Sequence, residues 1–200
     1  AHGPRFGTLA RHAGVDPEPV TGAIMTPIFQ TSTYVQPAVA EPKGGRFDYG
    51  RTANPTREAL EASIAALEVG KHGVAFSSGI AAIETIVKRL SAGDHVVSEE
   101  NTYGGTTRLF TRVLARLGIQ FTFVDTRDPE RIRSAMRPKT KLVHVETPTN
   151  PMMRICDVRA AAEVAHAGGA LLSVDNTYAS PYNQRPLEFG ADIAVHSSTK

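Results

Sequence analysis

From Asn54 onward the chain repeats one pattern: a short apolar run, then a segment with helical spacing. The runs are "GVAF" (73–76), "HVVS" (95–98), "FTFV" (121–124), "LVHV" (142–145), "ALLSV" (170–174) and "DIAV" (192–195). Runs rich in Val, Ile and Leu, without apolar–polar alternation, fit strands buried on both faces. The intervening segments predict helices over Gly79–Leu90, Thr106–Leu117, Pro129–Met136 and Val158–Ala167. A further helix is predicted in "NPTREALEASIAALE", which begins with an Asn cap and a Pro at the first helical position. Leu60, Ile64 and Leu67 fall on one face of it. Alternation of this kind predicts an α/β fold: a mostly parallel central sheet with helices on both faces. Residues 1–53 read differently, as an extended arm with one short helix over Phe6–His12 and a Pro- and Thr-rich stretch, "TPIFQTSTYVQP". The expected division is therefore an arm, 1–53, and part of a larger α/β domain, 54–200.

Several function classes lose ground on composition. A net charge of +2 does not indicate general electrostatic capture of nucleic acid. Arg108, Arg112 and Arg116 recur at helical spacing, which fits a solvated helix face better than a phosphate-binding stripe. Cys156 is the only cysteine, so no internal disulfide can form and a reducing, cytoplasmic setting is expected. No stretch approaches the roughly 20 apolar residues of a membrane span, and the start lacks the apolar core of a secretory signal. The histidines are scattered without a pair at ligand spacing, so no metal is expected. Neither G-x-S-x-G nor G-x-x-x-x-G-K occurs, and no G-x-G-x-x-G follows a strand run.

In open α/β sheets ligands bind beyond the carboxyl ends of the strands. Five of the six runs lead into polar groups there: Ser77, Ser78 and Gly79; Tyr103; Glu146 and Asn150; Asp175 and Thr177; Ser197, Thr199 and Lys200. Ser78-Gly79 opens a helix, whose free N–H groups suit a phosphate or simply take a cap. Ser197 and Thr199 alternate, so both hydroxyls could face one anion. Asp175 at a buried strand end needs a cation or several donors, from a neighbouring side chain or from a cationic cofactor ring. Lys200 is either an ordinary solvated lysine or, if desolvated, a nucleophile.

In order along the chain stand "YGRTANPTR", "SSGIAA", "YGGT", "ETPTNP", "VDNTYASPYNQRPLEFGADI" and "HSSTK". Together they resemble the Cys/Met-metabolism (trans-sulfuration) family of pyridoxal-phosphate (PLP) enzymes over almost the whole chain, from about Phe6 to Lys200. The resemblance implies a fold-type I large domain, normally followed by a smaller C-terminal domain that this chain does not contain. It implies that Lys200 is the Schiff-base lysine, Asp175 the partner of the pyridinium nitrogen, and Tyr103 the stacking ring and an acid/base. Gly79 and Ile80 would give N–H groups to the phosphate, beside Ser78, with Ser197 and Thr199 adding hydroxyls. Ile80 stands where the family often has Met or Leu. Asn150 would lie near the phenolic oxygen and Thr177 near the ring. Tyr49 and Arg51 resemble residues that reach the phosphate of a neighbouring subunit, implying a homo-oligomer, typically a tetramer of active dimers. Opposite charges 4 Å apart at an effective dielectric near 20 attract by about 4 kcal/mol, enough for Asp175 to keep the ring nitrogen protonated.

Within the family, Gly105 stands where methionine γ-lyases characteristically carry cysteine. Asp48 is acidic, as in enzymes handling the distal amino group of cystathionine. The expected activity is cystathionine γ-lyase, with cystathionine γ-synthase next, then methionine γ-lyase or homoserine sulfhydrylase. A non-catalytic, truncated PLP-fold binding module is the alternative from another class. The family's substrate-carboxylate arginine is not in this chain, and the remainder of the polypeptide is expected as a separate chain.

Overall fold

The computed structural model describes residues 5–42 and 45–200. The chain falls into two compact units, Ala1–Ala75 and Phe76–Lys200. In the first, α1 (Phe6–His12) packs on α2 (Pro55–Leu67). Gly14, at φ 73°, marks how closely: a Cβ there would lie 2.7 Å from that of Ala62. Asn54 caps α2 by accepting from the N–H groups of Thr56 (2.9 Å) and Arg57 (3.3 Å). Its amide also donates to the Phe29 carbonyl, and the Thr56 hydroxyl donates to that of Pro27. The extended stretch is thereby tied to the start of α2. The predicted apolar face of α2 is not a buried one: no residue of the helix is buried, and Leu60 is 55% exposed.

The second unit is a five-stranded sheet, every neighbouring pair parallel, in the order β2-β1-β3-β4-β5. The strands are β1 (His95–Glu99), β2 (Gln120–Val124), β3 (Thr140–Glu146), β4 (Leu171–Asp175) and β5 (Ile193–Val195). Successive residues serve opposite faces. Val96 and Leu142 join a core with Ile83 and Val87 of α3 (Gly79–Val87) and with Phe110 and Leu114. Val97, Val143 and Leu172 join another with Ile132 of α5 (Pro129–Ala135) and the alanines of α6 (Val158–Ala167). Helices thus cover both faces of the sheet, as the non-alternating runs require.

Two further expectations need correction. Gly73–Phe76 forms no strand, and Val74 is 66% exposed; an apolar extended run becomes a strand only where a neighbour completes its hydrogen bonds. The helix expected over Thr106–Leu117 starts earlier and changes type: α4 (Gly104–Arg108) continues as a π-helical turn, Leu109–Val113, and a 3-10 turn, Leu114–Leu117. That change of winding breaks the single face on which the arginine spacing would have put Arg108, Arg112 and Arg116, and all three are exposed.

Two histidines sit in the sheet with no solvent contact to speak of, His95 at 0% and His144 at 1% exposure. His95 is held between the hydroxyls of Thr140 (2.8 Å) and Thr122 (2.9 Å). His144 meets the Ser173 hydroxyl at 3.2 Å and the edge of Phe110. Burial pushes both rings down to about 4, with Arg137 adding to it for His95 and the Asp175 charge opposing it for His144. The fold therefore holds both rings neutral, while the unfolded chain protonates them near 6.5. Their contribution is complete above 6.5 and is lost as pH falls toward 4, by about 3 kcal/mol for each ring. Urea unfolding as a function of pH tests this: between pH 6.5 and 4, His95→Gln is expected to lose about 3 kcal/mol less stability than the native protein.

Candidate active site

The sequence places each polar group by one rule: a parallel sheet ends all its strands at the same edge. Glu146 and Asp175 are register partners on β3 and β4, and Glu99 ends β1. The strand order reverses between β1 and β3, the type of crevice where such sheets take ligands. A cavity of about 190 Å³ opens there. It is lined by Ser78, Gly79 and Ile80 from the start of α3, Tyr103 after β1, and Asn150 after β3. Asp175 and Thr177 line it from β4, and Ser197, Thr199 and Lys200 from beyond β5.

One end of the cavity is built for an anion. Ser78 caps α3, its hydroxyl accepting from Ala81 N–H at 3.1 Å while its carbonyl takes Ala82 N–H. The N–H groups of Gly79 and Ile80 have no acceptor within the helix and remain for a ligand. Gly79 lets the segment after β5 come close: a Cβ there would meet that of Ser197 at 3.0 Å, tighter than ordinary packing. The Ser197 and Thr199 hydroxyls are 2.8 Å apart, so both face the same side of the segment.

The other end is acidic. Asp175 is 8% exposed, and its Oδ1 accepts from the Thr177 N–H (3.1 Å) and hydroxyl (2.6 Å). The Thr177 hydroxyl in turn accepts from Ser197 N–H at 2.9 Å, linking the carboxylate to the anion end. That leaves Asp175 Oδ2 for a cationic partner. The donor set fits PLP: N–H and hydroxyl groups for a phosphate, a buried carboxylate for a ring nitrogen, a tyrosine ring and a lysine amine.

Glu146 stands at a strand end in the sequence with no role assigned to it, and Pro148 and Tyr178, which carry no signal there, also line the cavity. Glu146 accepts from Tyr103 N–H at 2.7 Å and Asn150 N–H at 2.8 Å. Burial pushes its carboxyl up to about 7, with the neighbouring Asp175 and Glu99 charges adding to the rise and the two N–H bonds opposing it. Its register with Asp175 was the available signal.

Three candidates lie in the first unit. Arg51 stacks its guanidinium 4.7 Å from the centre of the Tyr49 ring. Asp48 accepts from Thr52 (2.9 Å) and from Tyr49 N–H (2.6 Å), and these bonds hold its carboxyl below the ordinary range.

Residues 7–200 match the family described as Cys/Met metabolism PLP-dependent enzyme. The chain belongs to that family. It is 51% identical over 195 residues to a probable cystathionine gamma-synthase of Herpetosiphon aurantiacus, covering 98% of this chain and 60% of that protein. It is also 51% identical over 193 residues to a cystathionine gamma-lyase of Bacillus subtilis, covering 96% and 50%. A crystal structure of cystathionine gamma-lyase from Lactobacillus plantarum complexed with L-serine superposes with a TM-score of 0.94 at 45% identity, covering 98% of this chain and 51% of that one. The chain thus spans about half to three-fifths of the relatives it matches. Relatives in this trans-sulfuration family are named gamma-synthase, gamma-lyase and beta-lyase. Among the described residues no helix is long and apolar enough to cross a membrane.

Proposed function

We propose that this chain forms the cofactor half of a PLP-dependent carbon–sulfur lyase that acts on cystathionine by γ-elimination, consuming one water and giving cysteine, 2-oxobutanoate and ammonia. The observation that carries the reading is one cavity combining open N–H groups and paired hydroxyls, a buried carboxylate and a lysine amine. When bound, PLP supplies an aldehyde for an amine and a conjugated ring that draws electrons from the substrate Cα. Gly79, Ile80, Ser78, Ser197 and Thr199 would hold the phosphate. Asp175, oriented by Thr177, would pair with the ring nitrogen. Lys200 Nζ would hold the aldehyde end and carry the Cα proton. Tyr103 would pack on the ring and offer its phenol as a second proton carrier, and Asn150 would take the ring's phenolic oxygen.

Gly105 supports the choice of substrate. A side chain there would run into the Tyr103 ring and Ile80, so the cysteine of methionine γ-lyases would displace the ring. Asp48 is the candidate for the distal ammonium of cystathionine. Val20, Ile28, Val35 and Val39 are all strongly exposed in the arm. They suit a subunit interface in a cytoplasmic tetramer of active dimers, with Tyr49 and Arg51 reaching a neighbour's phosphate.

Side-by-side assays of cystathionine, methionine and O-acylhomoserine test the reading. Ketoacid release is expected fastest from cystathionine. Thioether formation from O-acylhomoserine and cysteine as the dominant reaction would make the protein a γ-synthase. A protein that stays colourless with added PLP would leave only a non-catalytic binding module.

A further inference from the structure

Glu146 is a buried carboxylate that neither the sheet nor the cofactor reading requires. It is the last residue of β3, 5% exposed, and both of its oxygens are used. Oε2 takes the N–H of Tyr103, 43 residues earlier, and Oε1 takes the N–H of Asn150, 4 residues later. Tyr103 precedes α4 and makes no side-chain cap of its own. The two loops so joined are opposite contributors to the cavity wall, one bearing the ring and the other the amide. The titratable groups around Glu146 are Asp175 on β4, Glu99 on β1, His144 on its own strand, and Tyr103 and Lys200 in the cavity lining. Two of these are carboxylates, so the charge on Glu146 is opposed from both neighbouring strands. The two N–H donors are what hold it in place.

We infer that Glu146 is a positioning residue: its two carboxylate oxygens clamp the Tyr103 loop to the Asn150 loop and so fix the tyrosine ring over the cavity. The part concerning the ring and its cofactor rests on the PLP reading; the clamp itself does not. A glutamine has one accepting oxygen, and its NH₂ would face the second N–H, so Glu146→Gln must release one loop. Glu146→Asp keeps both oxygens but falls a methylene short.

Amide hydrogen exchange tests the clamp on the protein before and after PLP is added. In Glu146→Gln, exchange at Tyr103 or Asn150 is expected to rise by about tenfold, the scale of one lost hydrogen bond to a charged group, with Leu142–Val145 unchanged. With PLP added, the visible circular dichroism of the bound cofactor is expected to shrink, because the ring above it is no longer fixed. A fold-stabilising role alone would raise exchange throughout β3 and leave the dichroism of the folded fraction intact. Should the variant not fold, the native protein answers: protection at these two amides, corrected for intrinsic rate, falls as pH is lowered through about 7. Unchanged exchange at both amides in Glu146→Gln, or protection flat with pH, overturns the clamp. Failure of the native protein to take up PLP overturns the cofactor reading and leaves the exchange result to decide the clamp.

Discussion

Lys200→Ala is expected to lower turnover by roughly three orders of magnitude or more, because in the proposed function it removes both the amine that binds the cofactor and the carrier of the Cα proton. The rest of the site survives it. Gly79 and Ile80 keep their open N–H groups, Ser197 and Thr199 keep their paired hydroxyls, and Asp175 keeps both bonds from Thr177. PLP should therefore still bind, without forming a bond to the chain. Borohydride treatment followed by peptide mass analysis separates the two roles. The native protein is expected to carry the cofactor on the Lys200 peptide, and Lys200→Ala on none. A variant retaining a tenth of native turnover would remove Lys200 from the reaction.

Asp175→Asn isolates charge. Asparagine can still accept from Thr177 through its carbonyl oxygen, so the geometry is preserved and the negative charge is lost. About 4 kcal/mol of attraction for a cationic ring nitrogen corresponds to a fall of roughly a thousandfold in kcat/KM. The comparison is made at saturating PLP, so that weaker binding is not mistaken for weaker catalysis. A cofactor analogue methylated on the ring nitrogen carries a fixed positive charge and is expected to restore part of the loss. A loss under tenfold would mean that Asp175 is only a structural acceptor for Thr177.

Glu146 and the buried histidines pull stability in opposite directions over the same pH range. Glu146 binds a proton more readily in the fold than in the unfolded chain, so its contribution is full below about 4.5 and is lost as pH rises through about 7. It offsets roughly one of the two rings, and acid still destabilises the fold on balance.

Much of this architecture was legible in the residues. The runs at 95–98, 121–124, 142–145, 170–174 and 192–195 became strands because each has a parallel neighbour and a helix on either face. "GVAF" carries the same local signal and forms no strand, since local pattern says nothing of whether a partner is at hand. Phe6–His12 and Val158–Ala167 were legible to the residue; α6 has an Asp cap and an uninterrupted small-residue face. The start of α4 was not, because Gly104 and Gly105 are poor helix formers and the Tyr103 backbone just before them is held by Glu146, a contact between residues far apart in sequence. The π-helical turn left no trace in spacing. The convergence on one cavity was legible because a parallel sheet turns a linear series of strand ends into a single edge.

The bond from Ser197 N–H to Thr177 ties the segment after β5 to the carboxylate after β4. Among the described residues β5 is three residues long and pairs only with β4. The hydroxyls of Ser197 and Thr199 ride on the segment after β5. A ligand gripping those hydroxyls, the α3 N–H groups and Asp175 together would act as a fastener across these separate elements, worth about 2.7 kcal/mol at a hundred times its dissociation constant. Vitamin supply would then govern how long the protein resists proteolysis as well as how fast it works.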